Sequence, residues 1–269
     1  MKSIVGFYRK LLFLSVSIAT TSAIAPLPGY AATFSLSQSS VTFNQFSSFA
    51  SELDTLTRTD TLAIGADPGS VVAVAEAIAD LTPTEGSNFS FSQADGDGLD
   101  YLGTADSQAR IIAEFWVNPS DDPVFSFSFL SELILITAVD DPILETAFAA
   151  ATIGFGLFDN ATGDLLDTFE LIAQLTSPGI SDLPSLNVSD NFSEVDGFVE
   201  FSSDINQSVL VAEITGSYSR TFSAPTSVRL VEFKENQAAV RAVPAPSMLP
   251  GILITSVWLP WLKRRRLKA

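Results

Sequence analysis

The chain has 269 residues, 46% of them hydrophobic, which is enough for one sizeable core and argues against a disordered chain. It contains no His and no Cys, so thiol catalysis, iron–sulfur clusters, Cys or His zinc sites, Ser-His-Asp triads, His acid–base chemistry and disulfides are all excluded. Of 14 basic residues, Lys2, Arg9 and Lys10 stand at the front and Lys263, Arg264, Arg265, Arg266 and Lys268 at the back, while all 31 acids lie from Glu52 to Glu235; the six basic residues between the two ends, Arg58 to Arg241, leave the body with a formal charge of −25. Such a surface repels nucleic acid and anionic lipid and attracts divalent cations.

The first residues, "MKSIVGFYRKLLFLSVSIATTSAIAPLPGYAATFS", combine a basic start, an apolar stretch from Leu11 to Ala19 and small residues beyond it. This is the layout of a secretory signal peptide. Cleavage after Ala31, with Gly29 at the −3 position, fits best and makes residues 1–31 the signal; Ala25 with Ala23 is the second choice. The apolar stretch is short and broken by serines, which speaks against an uncleaved anchor.

Residues 32–240 are expected to form one all-β domain, an antiparallel β-sandwich or jelly roll. The Ser/Thr-rich lead up to Gly65 suits an edge hairpin or a loosely ordered lead-in. "VVAVAEAIAD" then alternates Val72, Val74, Glu76 and Ile78 against alanines, and "SNFSFSQ" and "PVFSFSFLSELILITA" alternate Phe with Ser, so Phe125, Phe127 and Phe129 share one face. A period of two is the mark of a half-buried strand. Further strands are expected at "RIIAEFWV", "AAATIGFGLFD", "DLLDTFELIAQL", "GFVEFSS", "SVLVAEITGSYS" and "TSVRLVEF", separated by Asp-Pro steps, "DNATGD", "SPGISDLP" and "EVDG". "ENQAAVRAVPAPS" reads as a linker from the last strand to the tail.

Five pieces of candidate chemistry lie in this body. "QADGDGLDYLGTAD" gathers Asp95, Asp97, Asp100 and Asp106 among glycines. Carboxylates on a Gly-rich loop suit Ca²⁺, and Asp95, Asp97 and Asp100 are the ligands that such a site would use, although the spacing fails the EF-hand order and a solvated turn explains the same residues. A glycosidase pair of carboxylates is the one enzyme class that needs neither His nor Cys; no neighbourhood singles out an acid and a nucleophile, so the expected protein is not an enzyme. Trp116, Tyr101 and Tyr218 could stack against sugars, but an aromatic on a strand is more often core, and Trp116 is expected to pack inside. Lys234, the only lysine of the body, offers little to a Ser-Lys nucleophile. Asn-x-Ser/Thr sequons occur at Asn88, Asn160, Asn187, Asn191 and Asn206.

The tail, "VPAPSMLPGILITSVWLPWLKRRRLKA", divides into a linker with its Pro motif at 241–247 and a hydrophobic segment with a basic end at 248–269. The apolar run Met248 to Leu262, interrupted by Pro250 and Pro260, would reach only ~22 Å as a helix, short of the ~30 Å hydrocarbon core. Lys263, Arg264, Arg265 and Arg266 would act as the membrane stop, on the cytoplasmic side.

Val243, Pro244, Ala245 and Pro246, then Leu249, Pro250 and Gly251, the short hydrophobic run and the terminal basic cluster resemble the PEP-CTERM class of sorting signals. The closest likeness is to the variant with Pro-x-Pro-Ala followed by Leu-Pro-Gly; Ala245 replaces the Glu of the main class, and Ser247 stands where the variant has Ala. The resemblance covers about 27 residues and is silent on the fold of the body. It implies sorting by an exosortase acting near the Pro motif, after a signal peptidase has acted at the front, and a cell-envelope or extracellular protein held in the membrane by its tail until processing. It also implies an association with exopolysaccharide and biofilm. The expectation is therefore a non-catalytic exported protein with extracellular polysaccharide as partner and Ca²⁺ as the one candidate cofactor. The alternative is an exported carbohydrate-active enzyme.

Overall fold

The computed structural model describes residues 32–66, 69–120, 122–179 and 182–242. The signal-peptide residues up to Ala31 and the whole sorting tail from Val243 onward, with its Pro motif, Leu249-Pro250-Gly251 and basic cluster, lie outside the described residues. The described chain is all-β, with strands β1 (Ala32–Asn44), β2 (Ala50–Gly65), β3 (Gly69–Leu81), β4 (Gly86–Gly98), β5 (Tyr101–Val117), β6 (Val124–Ala138), β7 (Glu145–Asp159), β8 (Leu165–Ser177), β9 (Asp182–Val188), β10 (Phe192–Ser203), β11 (Gln207–Thr221) and β12 (Thr226–Ala242). All pairings are antiparallel and form two sheets of six, ordered β10-β11-β6-β1-β4-β3 and β2-β5-β12-β7-β8-β9.

Three boundaries differ from the sequence expectation. β1, with its serines, is no lead-in but a central strand between β6 and β4. β12 runs on through "ENQAAVRA" to Ala242, so Arg241 and Ala242 pair with β5 and β7 and do not belong to a linker. The acidic stretch is strand on both sides, leaving Leu99 and Asp100 alone to carry the chain from β4 in the first sheet to β5 in the second. Gly98 makes that turn at φ 108°, a conformation that side-chain-bearing residues avoid. The neighbouring passage from β2 to β3 lies against it, with the Ala66 amide donating to the Asp100 carbonyl at 2.9 Å. A side chain on Gly69 would sit 2.8 Å from the Ala66 oxygen, so only glycine fits there.

The sheets face each other across three successive layers. At one end, rings from both sheets interlock: Phe155 stacks on Phe169 at 4.5 Å and meets Phe43, Phe129 and Phe192 edge-on at 5.2, 5.0 and 5.6 Å. Phe125, Phe127 and Phe129 of β6 all point into this core, as the alternation predicts. Each such ring contributes roughly 1.5–3 kcal/mol on burial. At the other end a smaller cluster gathers Ala94, Tyr101, Val139, Ala147, Ala238, Val240 and Ala242. Between the two the interior is polar, and here the Phe–Ser alternation runs the other way: in β4, Ser90 and Ser92 are fully buried while Phe89 and Phe91 face outward, half-exposed.

Candidate functional site

The polar layer is built from small residues of one sheet reaching the other. In β1, Ser35 Oγ donates to the Phe148 carbonyl and Ser37 Oγ to the Ala150 carbonyl at 2.6 Å, both across the gap from β7. Ser37 and Ser39 hydrogen-bond the Asn236 side chain, and Ser92 Oγ donates to the Asn236 carbonyl at 3.0 Å. Ser107 sits between Ser90 and Ser92 at 2.7 and 2.9 Å. A serine reaches a backbone carbonyl of the opposite sheet only where the sheets come close, and the Ser, Ala and Gly content of β1, β4, β5 and β7 permits that approach.

At the aromatic edge of this layer lie Glu232 and Lys234 of β12 and Asn88 of β4, exposed by 0, 1 and 3%. Two residues apart on one strand, Glu232 and Lys234 share the inward face, and Asn88 meets them from the other sheet. The Asn88 side-chain amide donates to Glu232 Oε2, and the Lys234 amine donates to the Asn88 main-chain carbonyl. Lys234 Nζ is 3.5 Å from Glu232 Oε1. Asn88 Oδ1 and Glu232 Oε1 make no hydrogen bond. Desolvation pushes the Lys234 amine down to about 8, against the opposing pull of Glu232. It pushes the Glu232 carboxyl up, against the Lys234 charge and the Asn88 hydrogen bond. Each displacement disfavours the charged form of its group, so burial lowers the cost of passing the Lys234 proton to Glu232.

A second polar group is Asp167 with Tyr218, Arg220 and Asn191. The Tyr218 hydroxyl donates to Asp167 Oδ2 at 2.9 Å, Arg220 pairs with the same oxygen at 2.8 Å, and Asn191 donates to Oδ1 at 2.9 Å. Both oxygens of this buried carboxylate are thereby hydrogen-bonded, which marks it as a structural clamp between β8 and β11.

The residues singled out from the sequence take different places. Asp95 and Asp97 stand two apart on the outer face of β4, and Asp100 follows in the turn. Asp106 lies on the outer face of β5 in the other sheet. Among the described residues no three carboxylates come together to hold a metal ion, because the stretch expected to be a loop is mostly strand. Burial raises the Asp95 carboxyl, partly offset by the Gln93 amide at 2.6 Å.

Of the three aromatics, Trp116 reverses the expectation of packing inside. Tyr101 and Tyr218 are buried, whereas Trp116 is 57% exposed: Phe115 and Val117 on either side take the inward positions of β5. Among the sequons, the buried Asn88 is closed to modification in the folded chain, while Asn160 and Asn206 sit in turns.

Carboxylates face each other at several points of the outer surface, Glu52 opposite Glu114 and Asp60 opposite Asp106 between β2 and β5 among them. Glu132 of β6 and Glu213 of β11 are directly opposite each other on the outer face of the first sheet. Burial raises the Glu132 carboxyl, the Ser40 hydroxyl at 2.8 Å lowers it, and the Glu213 charge raises it further. They lie on the flat of a sheet, whereas the shallow grooves, of about 420 and 280 Å³, lie between β2 and β3. Comparison with family models, with curated proteins and with solved structures gives no match to this chain.

Proposed function

We propose that this chain is a non-catalytic exported protein of the cell envelope or extracellular matrix, carried out by its signal peptide and sorted by an exosortase acting at its C-terminal tail. The observation that carries this is the pairing of the two ends: a signal-peptide layout up to Ala31, and Val243-Pro244-Ala245-Pro246, Leu249-Pro250-Gly251, a short apolar run and Lys263 to Arg266 at the back. The prolines disfavour helix and leave an extended backbone open to a protease, while the run behind them parks the chain in the membrane. The body is consistent with such a role, since Glu232 and Lys234 are buried between the sheets while the raised carboxyls of Asp95 and Glu132 lie on outer strand faces. Its contacts with polysaccharide would be made by flat outer surfaces such as that around Trp116.

The test is mass spectrometry of the mature termini in protein recovered from the native host's membrane and medium. A chain that begins near Ala32 and ends close to Pro246 is expected. An intact "KRRRLKA" end confined to membranes would make the tail a plain anchor and end the exosortase assignment. The second reading, a carbohydrate-active enzyme, rests on Glu132 and Glu213; it requires polysaccharide hydrolysis that both Glu132→Gln and Glu213→Gln abolish.

A further inference from the structure

The grouping of Lys234, Glu232 and Asn88 has a chemical possibility beyond an ion pair. A primary amine, a carboxamide and a carboxyl group are held together between two β-sheets, shut off from water. Salt bridges in such places are costly to keep, and this one leaves Asn88 Oδ1 without a hydrogen bond and Glu232 Oε1 met by Lys234 Nζ only at 3.5 Å. A purely structural group would be expected to answer the amide oxygen. An amide with a free oxygen, a carboxyl bonded to its nitrogen and a lysine amine that reaches the main-chain carbonyl of the same Asn88 are what an acyl transfer needs: an electrophile, a proton carrier and a nucleophile.

We infer that Lys234 and Asn88 join in an intramolecular isopeptide bond, formed by the chain on itself with Glu232 as the proton carrier. In the step, the neutral Lys234 amine adds its lone pair to Asn88 Cγ. The carboxyl of Glu232, protonated by the proton it took from Lys234, donates to the amide oxygen as negative charge builds there. The tetrahedral centre then collapses, the Cγ–Nδ2 bond breaks, and Glu232 passes protons from the attacking nitrogen to the leaving one. The products are a secondary amide between Cγ and Nζ and one molecule of ammonia; no oxidant, metal or other reactant enters. Proximity supplies much of the rate, since the reacting groups share one buried site, and the absence of water keeps hydrolysis of the amide from competing.

The placement gives the bond a purpose. Asn88 lies in β4 of one sheet and Lys234 in β12 of the other, so the link would tie the two sheets together. In a chain with no cysteine it is the covalent staple that the side chains allow. It does not depend on where the protein is sent.

Intact-mass spectrometry of the denatured full chain, with both termini read by peptide sequencing, decides the matter. The expected result is a mass below that of the amino-acid sequence by one ammonia, and a branched peptide in a tryptic digest that joins the segment holding Asn88 to the segment holding Lys234. Asn88→Ala and Glu232→Gln are each expected to restore the unmodified mass. A wild-type chain of unmodified mass overturns the inference without recourse to any variant. So does a mass raised by conversion of Asn88 to a carboxyl, or an ammonia loss that digestion places elsewhere.

Discussion

Asn236 is the hub of the polar layer, and a double-mutant cycle with Ser39 tests whether that layer is held by specific hydrogen bonds. Asn236→Ala removes the amide that both Ser37 and Ser39 contact. Ser37 keeps the Ala150 carbonyl at 2.6 Å, but Ser39 Oγ, in a residue only 1% exposed, has no other partner. An orphaned buried hydroxyl costs about 1–3 kcal/mol, and with the packing of the lost amide the variant should lie near the top of that range. Ser39→Ala alone leaves Asn236 bonded to Ser37 and should cost about 1 kcal/mol. In the double variant the orphan no longer exists, so the combined loss should fall short of the sum by about 0.5–3 kcal/mol. Urea denaturation followed by far-ultraviolet circular dichroism measures all three, Trp116 being too exposed to report on the core. Strict additivity would show that the amide and the hydroxyl do not interact, and the layer would have to be held by packing alone.

The aromatic end should behave differently. Phe155→Ala is expected to destabilise by about 3–5 kcal/mol, because five rings and aliphatic neighbours close around it, whereas Trp116→Ala should stay within about 0.5 kcal/mol; similar losses in the two denaturation curves would contradict the orientation of β5. Glu132 offers a pH test. Its folded-state carboxyl lies above the ordinary 4.5, so the folded chain holds that proton more tightly than the unfolded one, and stability attributable to Glu132 is lost as pH rises through the raised value. Glu132→Gln should therefore be more stable than the parent at pH 7, with the difference shrinking as pH falls towards 4.5; a constant or reversed difference would refute the assignment.

The fold class was legible because strand alternation is a local signal. Phe125, Phe127 and Phe129 declare a face by themselves, and the hydrophobic pattern of "RIIAEFWV" already sets Ile111, Ala113, Phe115 and Val117 apart from Trp116, had parity been trusted over ring size. What stayed hidden depends on partners. Alternating Phe and Ser specifies that two faces differ, not which one is inside; in β6 the phenylalanines are buried, in β4 the serines are, since β4 faces the polar side chains of β5 and β12. The same cause hid Asn88, Glu232 and Lys234. Glu232 and Lys234 are two apart in sequence and could have been noticed as sharing a face, but Asn88 is 144 residues from Glu232 and only the sandwich brings it near. The acidic stretch misled because Gly and Asp are common in turns, while here they continue two strands to within two residues of each other.

The order of strands carries a consequence for how the chain comes into being. β1 is the first strand to emerge from any pore or ribosome and β12 the last, yet each lies inside its sheet, β1 between β6 and β4 and β12 between β5 and β7. The first sheet therefore cannot close before Gln207 to Thr221 arrive, β1 itself waiting for residues beyond Val124, and the second sheet has a gap until Thr226 to Ala242 follow. Long-range pairing of this kind folds slowly. Assembly is thus timed by the late strands, and the second sheet takes its final form only once β12 is free to enter between β5 and β7.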